Sequence, residues 1–227
     1  MTTYLLVHGA FRGGWWWRGV RRHLQSVGHE VFAPSLSGMG DRVQQSGRRI
    51  TRTTWVKDLS DLCFYEDLTD VVLVGHSLGG LIAAAAVPEC GGRIAHLVYL
   101  DAPVPPWPGV RSTPERPLDR RSWQPPLPVS IDGTAGEWME ARLTANPIAP
   151  GLDPVAAPDI ANTVIFCAHT PDPFPAAQSR RRLDEEGRTY LLLGAGHDAA
   201  MTHPALVADA LLRIAVTPAL AARRSAV

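Results

Sequence analysis

Between residues 71 and 87 the chain reads VVLVGHSLGGLIAAAAV. The opening VVLV has the unbroken apolar character of a strand covered on both faces. The closing LIAAAAV has the composition of a buried helix. A serine between two glycines, G-x-S-x-G, stands at the junction. Such a strand-to-helix turn is too tight for side chains at the flanking positions, and it holds the serine exposed in a strained conformation. The helix behind it aims its N-terminus at the same spot and favours negative charge there. These requirements demand a buried parallel sheet with helices packed against it, and they make Ser77 the candidate nucleophile.

The rest of the chain agrees with that demand. Apolar, β-prone runs at residues 4–7, 30–33, 71–74, 94–100, 163–168 and 189–193 alternate with helical patterns at 15–27, 53–66, 78–87, 174–186 and 204–214. Alternation of this kind predicts an α/β fold: a doubly wound, mostly parallel six-stranded sheet with helices on both faces. A length of 227 residues with 45% apolar side chains suits one domain with a substantial core. One stretch breaks the rhythm. From about residue 103 to 160 the chain is rich in proline and arginine, with Trp107, Trp123 and Trp138 interspersed. Proline excludes long helices and central strands. An insertion of this length between two core strands is expected to be a lid, its tryptophans facing a pocket or packing it down.

Charge and cysteine content narrow the function. Basic and acidic side chains number 22 each, so no basic stripe marks a nucleic-acid or membrane surface. Lys57 is the only lysine; the arginine, alanine, glycine and proline usage is that of a GC-rich bacterial genome. Cys63, Cys90 and Cys167 form neither a disulfide framework nor a zinc pattern. The N-terminal MTTYLLVHGA lacks a basic region, and its apolar run is too short for a signal or a span, so a cytoplasmic protein is expected.

Serine at its ordinary pKa needs a base within hydrogen-bond reach. His197 in GAGHDAAMTHP follows the last apolar strand and precedes a helix, the place of the histidine in the chain order Ser, acid, His. His8, His23, His29, His76, His96, His169 and His203 suit packing, surface or capping roles instead. In LLVHGAF, a backbone N–H just beyond His-Gly can pair with the N–H after the nucleophile to form an oxyanion hole. That nominates Ala10 and Leu78, with Phe11 as a rival to Ala10. The acid stays open. The usual slot after the strand TVIFCA falls near Thr170, and Asp172 comes two residues late between prolines. Asp101 closes the strand IAHLVYL one strand after the nucleophile. An acid there can reach the same histidine, since neighbouring strands lie about 4.8 Å apart. Asp101 is preferred over Asp172, because an acid closing an apolar strand is costly unless partnered.

Taken together, HGAFRGGWWW, EVFAPSLSGMGDR, VVLVGHSLGG, HLVYLDAPVP and GAGHDAAMTHP resemble the α/β-hydrolase superfamily, in its compact methylesterase and hydroxynitrile-lyase-like branch. They run in family order across most of the chain, outside the insertion. The resemblance implies a Ser-His-Asp triad, with Ser77, His197 and Asp101 its candidates, an oxyanion hole at Ala10 and Leu78, and no cofactor; no cluster has metal-ligand spacing, so no metal is expected. Bacterial relatives with Asp in the LVYLDA position often lack the downstream acid, which supports Asp101. Hydroxynitrile lyases carry a lysine beside the histidine, where this chain has Asp198, so cyanohydrin cleavage is not expected. The expected partner is a small-molecule ester or thioester. A biosynthetic cyclase or acyl-transfer enzyme built on the same triad stays open, as does the oligomeric state.

Overall fold

Each core strand is apolar at successive positions because both of its faces are covered, and period-2 alternation divides those positions between two cores. A computed structural model describes residues 1–109, 119–127, 131 and 133–215. Six strands form an entirely parallel sheet in the order β2-β1-β3-β4-β7-β8. They are β1 (Thr3–Val7), β2 (Glu30–Phe32), β3 (Val71–His76), β4 (Ile94–Leu100), β7 (Asn162–Cys167) and β8 (Leu191–Leu193). Leu5, Val7, Leu73, Leu97 and Tyr99 face one side, against Trp55 and Leu59 of α2 (Arg52–Tyr65) and Leu81 and Ile82 of α3 (Leu78–Ala86). Tyr4, Leu6, Val72, Val74, Val98 and Leu100 face the other, against Val20 and Leu24 of α1 (Arg18–Ser26) and Val207 and Leu211 of α7 (Pro204–Ala215). The expected doubly wound sheet of six strands is present. Among the described residues, no helix is long and apolar enough to cross a membrane.

Several boundaries differ from the expected ones, each for a tertiary reason. β3 runs on to His76 because β4 keeps pairing with it as far as Leu100. β8 starts at Leu191 and not at 189, since as an edge strand it has only β7 to pair with. The helix expected from residue 15 opens with a 3₁₀ turn, Gly14–Trp17, whose consecutive Trp16 and Trp17 rings are both buried, edge to face at 4.8 Å. Two further helices complete the core: α5 (Pro175–Glu185) after β7, and the short α6 (Ala199–Thr202) ahead of α7.

The insertion carries more regular structure than its proline content predicts. β5 (Trp123–Gln124) and β6 (Asn146–Pro147) pair antiparallel, and α4 (Gly133–Glu140) uses a proline-free stretch between them. All three tryptophans pack the insertion down. Trp107 and Trp123 join the core of α2 and α3, while Trp138 meets Trp15 edge to face at 5.6 Å and carries the Arg142 guanidinium at 3.9 Å.

Candidate active site

The site forms where the strand order reverses. The chain leaves β1 towards β2 on one side and comes back to build β3 on the other. At such a switch point the loops beyond the carboxyl ends of the two strands diverge and open a crevice. Here the two loops touch. A Cβ added to Gly9 would lie 2.9 Å from Ser77 Cβ, so only glycine permits this approach.

Ser77 is the N-cap of α3 at φ 51°, ψ −127°. Side-chain-bearing residues avoid such a conformation, which costs on the order of 1–3 kcal/mol and persists only where the surroundings enforce it. The enforcement is visible. Ser77 N–H donates to Leu100 C=O at 3.2 Å. A Cβ on Gly75 would lie 2.5 Å from Gly79 O, and one on Gly79 would lie 2.5 Å from His8 O. β3 is buried throughout, whereas Ser77, Leu78 and Ala10 are part-exposed.

Asp101 lies directly beyond β4 at φ 44° and is only 1% exposed. Its carboxylate accepts from His197 Nδ1–H at 2.6 Å, Thr170 Oγ1–H at 2.6 Å and the Cys167 N–H at 2.9 Å. Three donors satisfy the buried carboxylate. The first of them fixes the proton of His197 on Nδ1 and leaves Nε2 as an acceptor. Asp172 lies apart, its exposed side chain paired with Arg181 at 2.9 Å. Thr170, at the slot where the downstream acid was sought, instead binds the acid that comes from β4. Among the described residues, no hydrogen bond joins the Ser77 hydroxyl to His197 in this conformation. Catalytic contacts of this type often tighten only once substrate is bound.

Residues that the sequence left in bland roles hold these groups in place. His76 Nε2–H donates to the His197 carbonyl at 2.9 Å, and its ring stacks on Trp16 at 4.0 Å. Burial, reinforced by His197, pushes the His76 pKa well below its ordinary value. The His8 ring spans two loops: Nδ1–H donates to Gly9 O at 2.8 Å, and Nε2 accepts the Leu36 N–H at 3.0 Å. Burial pushes the His8 pKa down to about 4, which keeps that acceptor available. Because a peptide's C=O and N–H point in opposite directions, tying Gly9 O to His8 turns the Ala10 N–H away from that ring. Among the described residues, neither the Ala10 nor the Leu78 N–H has an acceptor.

A buried ion pair links the same loop to the His197 loop. Arg12 Nε donates to Asp198 Oδ1 at 2.9 Å and Nη2 reaches the same oxygen; Nη1 holds Ala10 O at 2.9 Å, and Trp16 Nε1–H donates to Asp198 at 3.0 Å. Sequence reasoning missed this pair. The available signal was an arginine inside the apolar AFRGGWWW, which burial permits only with an acid partner. Phe174, whose ring centroid lies 4.5 Å from that of His197, was missed as well. Among the described residues, no group of three His, Cys, Asp or Glu side chains could hold a metal ion.

A model of the alpha/beta hydrolase family matches residues 4–210. The chain belongs to this family. The carbendazim hydrolyzing esterase of Nocardioides sp. (strain SG-4G) is 41% identical over 105 residues, 46% of this chain and 43% of that protein. Methylesterase 4 of Arabidopsis thaliana is 36% identical over 111 residues, 45% of this chain and 40% of that protein. The matched stretch thus spans less than half the length of either curated relative. In fold the likeness is nearly complete: an extracellular alpha/beta-hydrolase from a Paenibacillus species superposes with a TM-score of 0.73 at 17% identity, over 94% of this chain and 98% of that one.

Proposed function

We propose that this alpha/beta hydrolase cleaves a carboxylic ester or thioester of a small apolar substrate through an acyl-enzyme on Ser77. The observation that carries the reading is the 2.6 Å bond from His197 Nδ1–H to the buried Asp101, at the same strand ends as a serine held in the elbow conformation. Ser77 Oγ attacks the carbonyl carbon while His197 Nε2 takes its proton. The oxyanion is received by the N–H groups of Ala10 and Leu78, each such donor contributing about 3 kcal/mol to the transition state. The leaving alcohol or thiol departs with the proton from His197. Water then enters, gives a proton to His197 and attacks the acyl carbon; collapse releases the acid and restores Ser77. Asp101 holds the tautomer and stabilises the imidazolium.

The insertion is the lid in this reading. It reaches the site at two points: the Thr144 N–H donates to Phe11 O at 2.9 Å, and a Cβ on Gly151 would lie 3.2 Å from Leu78 Cδ1. Ester cleavage is also what the Nocardioides and Arabidopsis relatives are named for.

A serine-directed organophosphonate is expected to label the protein once, on Ser77, and p-nitrophenyl esters of short acids to be turned over. Ser77→Ala should abolish labelling and lower turnover by about 10⁴–10⁶. Undiminished turnover in a folded Ser77→Ala protein would remove the mechanism. A product lacking the added mass of one water would point to the cyclase alternative.

A further inference from the structure

Several surface arginines sit beside acids: Arg93 with Asp67 at 3.0 Å, Arg181 with Asp172 at 2.9 Å, Arg182 with Glu186 at 3.5 Å. Arg48 and Arg49 do not, and Arg121 meets Asp119 through its backbone N–H and its charge but not through a guanidinium hydrogen bond. Among the described residues, none of these three side chains has a hydrogen bond or ion pair, yet all three converge with Arg120 on one cleft of about 310 Å³. Three segments far apart in sequence build it: the turn opened by Gly47 at φ 81°, the stretch leading into β5, and Pro147 of β6. Its apolar wall is Ile50, Pro147 and the indole of Trp123, which closes over Gly38 so tightly that a Cβ there would lie 2.7 Å from the ring. Arg120 is already engaged, holding Asp153 through Nη1 at 2.8 Å and through Nη2.

Among the described residues only Asp119, beside Arg121, offsets the charge of these three guanidinium groups, so gathering them is electrostatically uphill without a further counter-anion. Planar N–H forks pair with the oxygens of carboxylate and phosphate. Three forks offer more donors than the roughly four lone-pair sites of one carboxylate can accept, which favours phosphate. The volume is at the small end of ligand sites, about 300–1,000 Å³. The cleft also lies close to the chemistry. Pro147 in its wall is four residues before Gly151, which packs on Leu78 beside the nucleophile, and four residues span at most about 14 Å.

We propose that this cleft holds phosphate groups of the substrate, so that the acyl group reaches Ser77 on an alcohol or thiol carrier that bears phosphates. The inference rests on the acyl chemistry proposed above and replaces its small apolar substrate with one whose leaving group carries phosphates. A free phosphorylated thiol and the phosphorylated arm of a carrier protein share this chemistry, and the test separates them. Calorimetric titration of pyrophosphate into the Ser77→Ala protein is expected to show binding, weakened at least roughly tenfold when Arg48→Gln, Arg49→Gln and Arg121→Gln are added. In the Ser77 protein, kcat/KM is compared for butyryl-coenzyme A, a butyryl-loaded carrier protein and the butyryl thioester of N-acetylcysteamine, which has the same acyl group and no phosphate. One phosphate-bearing thioester is expected to exceed the neutral one by at least roughly tenfold, and that ratio to fall towards one in the triple variant at unchanged Tm. Whichever of the two shows the larger ratio identifies the source. Single Arg49→Gln and Arg121→Gln variants should shift the ratio in the same direction.

Absent pyrophosphate binding, or binding unaltered by the triple substitution, overturns the anion site. Equal kcat/KM for phosphate-bearing and neutral thioesters overturns the substrate assignment. Loss of Ser77-dependent turnover of every thioester, with pyrophosphate binding intact, would refute the acyl chemistry and leave the anion site standing.

Discussion

Asp101 accepts three hydrogen bonds at a position almost fully withdrawn from water, whereas Asp172 stands in solvent beside Arg181. Asp101→Asn keeps the shape but spoils the tautomer of His197, so turnover should fall at least roughly 10²-fold, while Asp172→Asn stays within about tenfold of the unaltered protein. Circular dichroism and Tm measured alongside separate a catalytic loss from unfolding, and the reverse ranking in a folded pair would move the acid to Asp172. The Arg12–Asp198 pair allows a stability test. Its side chains are 10% and 12% exposed, so Asp198→Asn leaves a buried guanidinium without its counter-charge. Breaking such a pair costs about 3–5 kcal/mol. Urea unfolding should show that loss, and Arg12→Leu combined with Asp198→Leu should recover part of it. A cost below about 1 kcal/mol would mean that the pair is solvated rather than buried. Ser77, His197 and Asp101 were legible as candidates because each ends or follows an apolar strand. Arg12 and Asp198 were not legible as a pair, since 186 residues separate them and only the folded loops bring them together.

Two loops and the elbow between them set the geometry of the site, and close backbone contact holds them together with the His8, His76 and Arg12 bonds. Gly9→Ala would thrust a Cβ to 2.9 Å from both Ser77 Cβ and His76 Nδ1. Either the first loop or the nucleophile must move, and a displacement near 1 Å at such a site costs about 10²-fold. The expected result is a kcat reduced by at least that factor. Organophosphonate labelling of Ser77 should slow in parallel, because labelling uses the same oxyanion donors. Unchanged kcat would show that the loop yields without disturbing the donors. At this scale the six core strands were legible, since unbroken apolar runs admit few alternatives. The insertion was less so: α4 and the β5–β6 pair are short, lie between prolines and derive their order from Trp107, Trp123 and Trp138 packed on the body.

The molecule as a whole should be sensitive to acid through histidines that it buries neutral. His8 is fully buried with its pKa lowered to about 4, chiefly by burial, with Arg12 acting in the same direction and the Gly9 carbonyl and Asp41 opposing. The unfolded chain titrates His8 near 6.5, so between about pH 6.5 and 4 the unfolded state binds more protons and stability must fall as pH falls. The lowered value corresponds to about 3 kcal/mol across that window, fully retained above it, and His76 acts in the same sense. Urea unfolding at pH 7.5 and pH 4.5 should reveal a loss of at least about 2 kcal/mol; equal stabilities would mean that these rings are protonated or solvated in the fold. What the sequence determined by itself was the sheet, its helices and the placing of Ser77 and His197 as candidate nucleophile and base, because local apolar periodicity and a glycine-flanked turn are properties of adjacent residues. What only the tertiary structure decided was which acid meets His197, which ring braces its loop and which charges converge on one cleft. Those depend on strand order, which brings residue 101 beside residue 197 and leaves residue 172 in water.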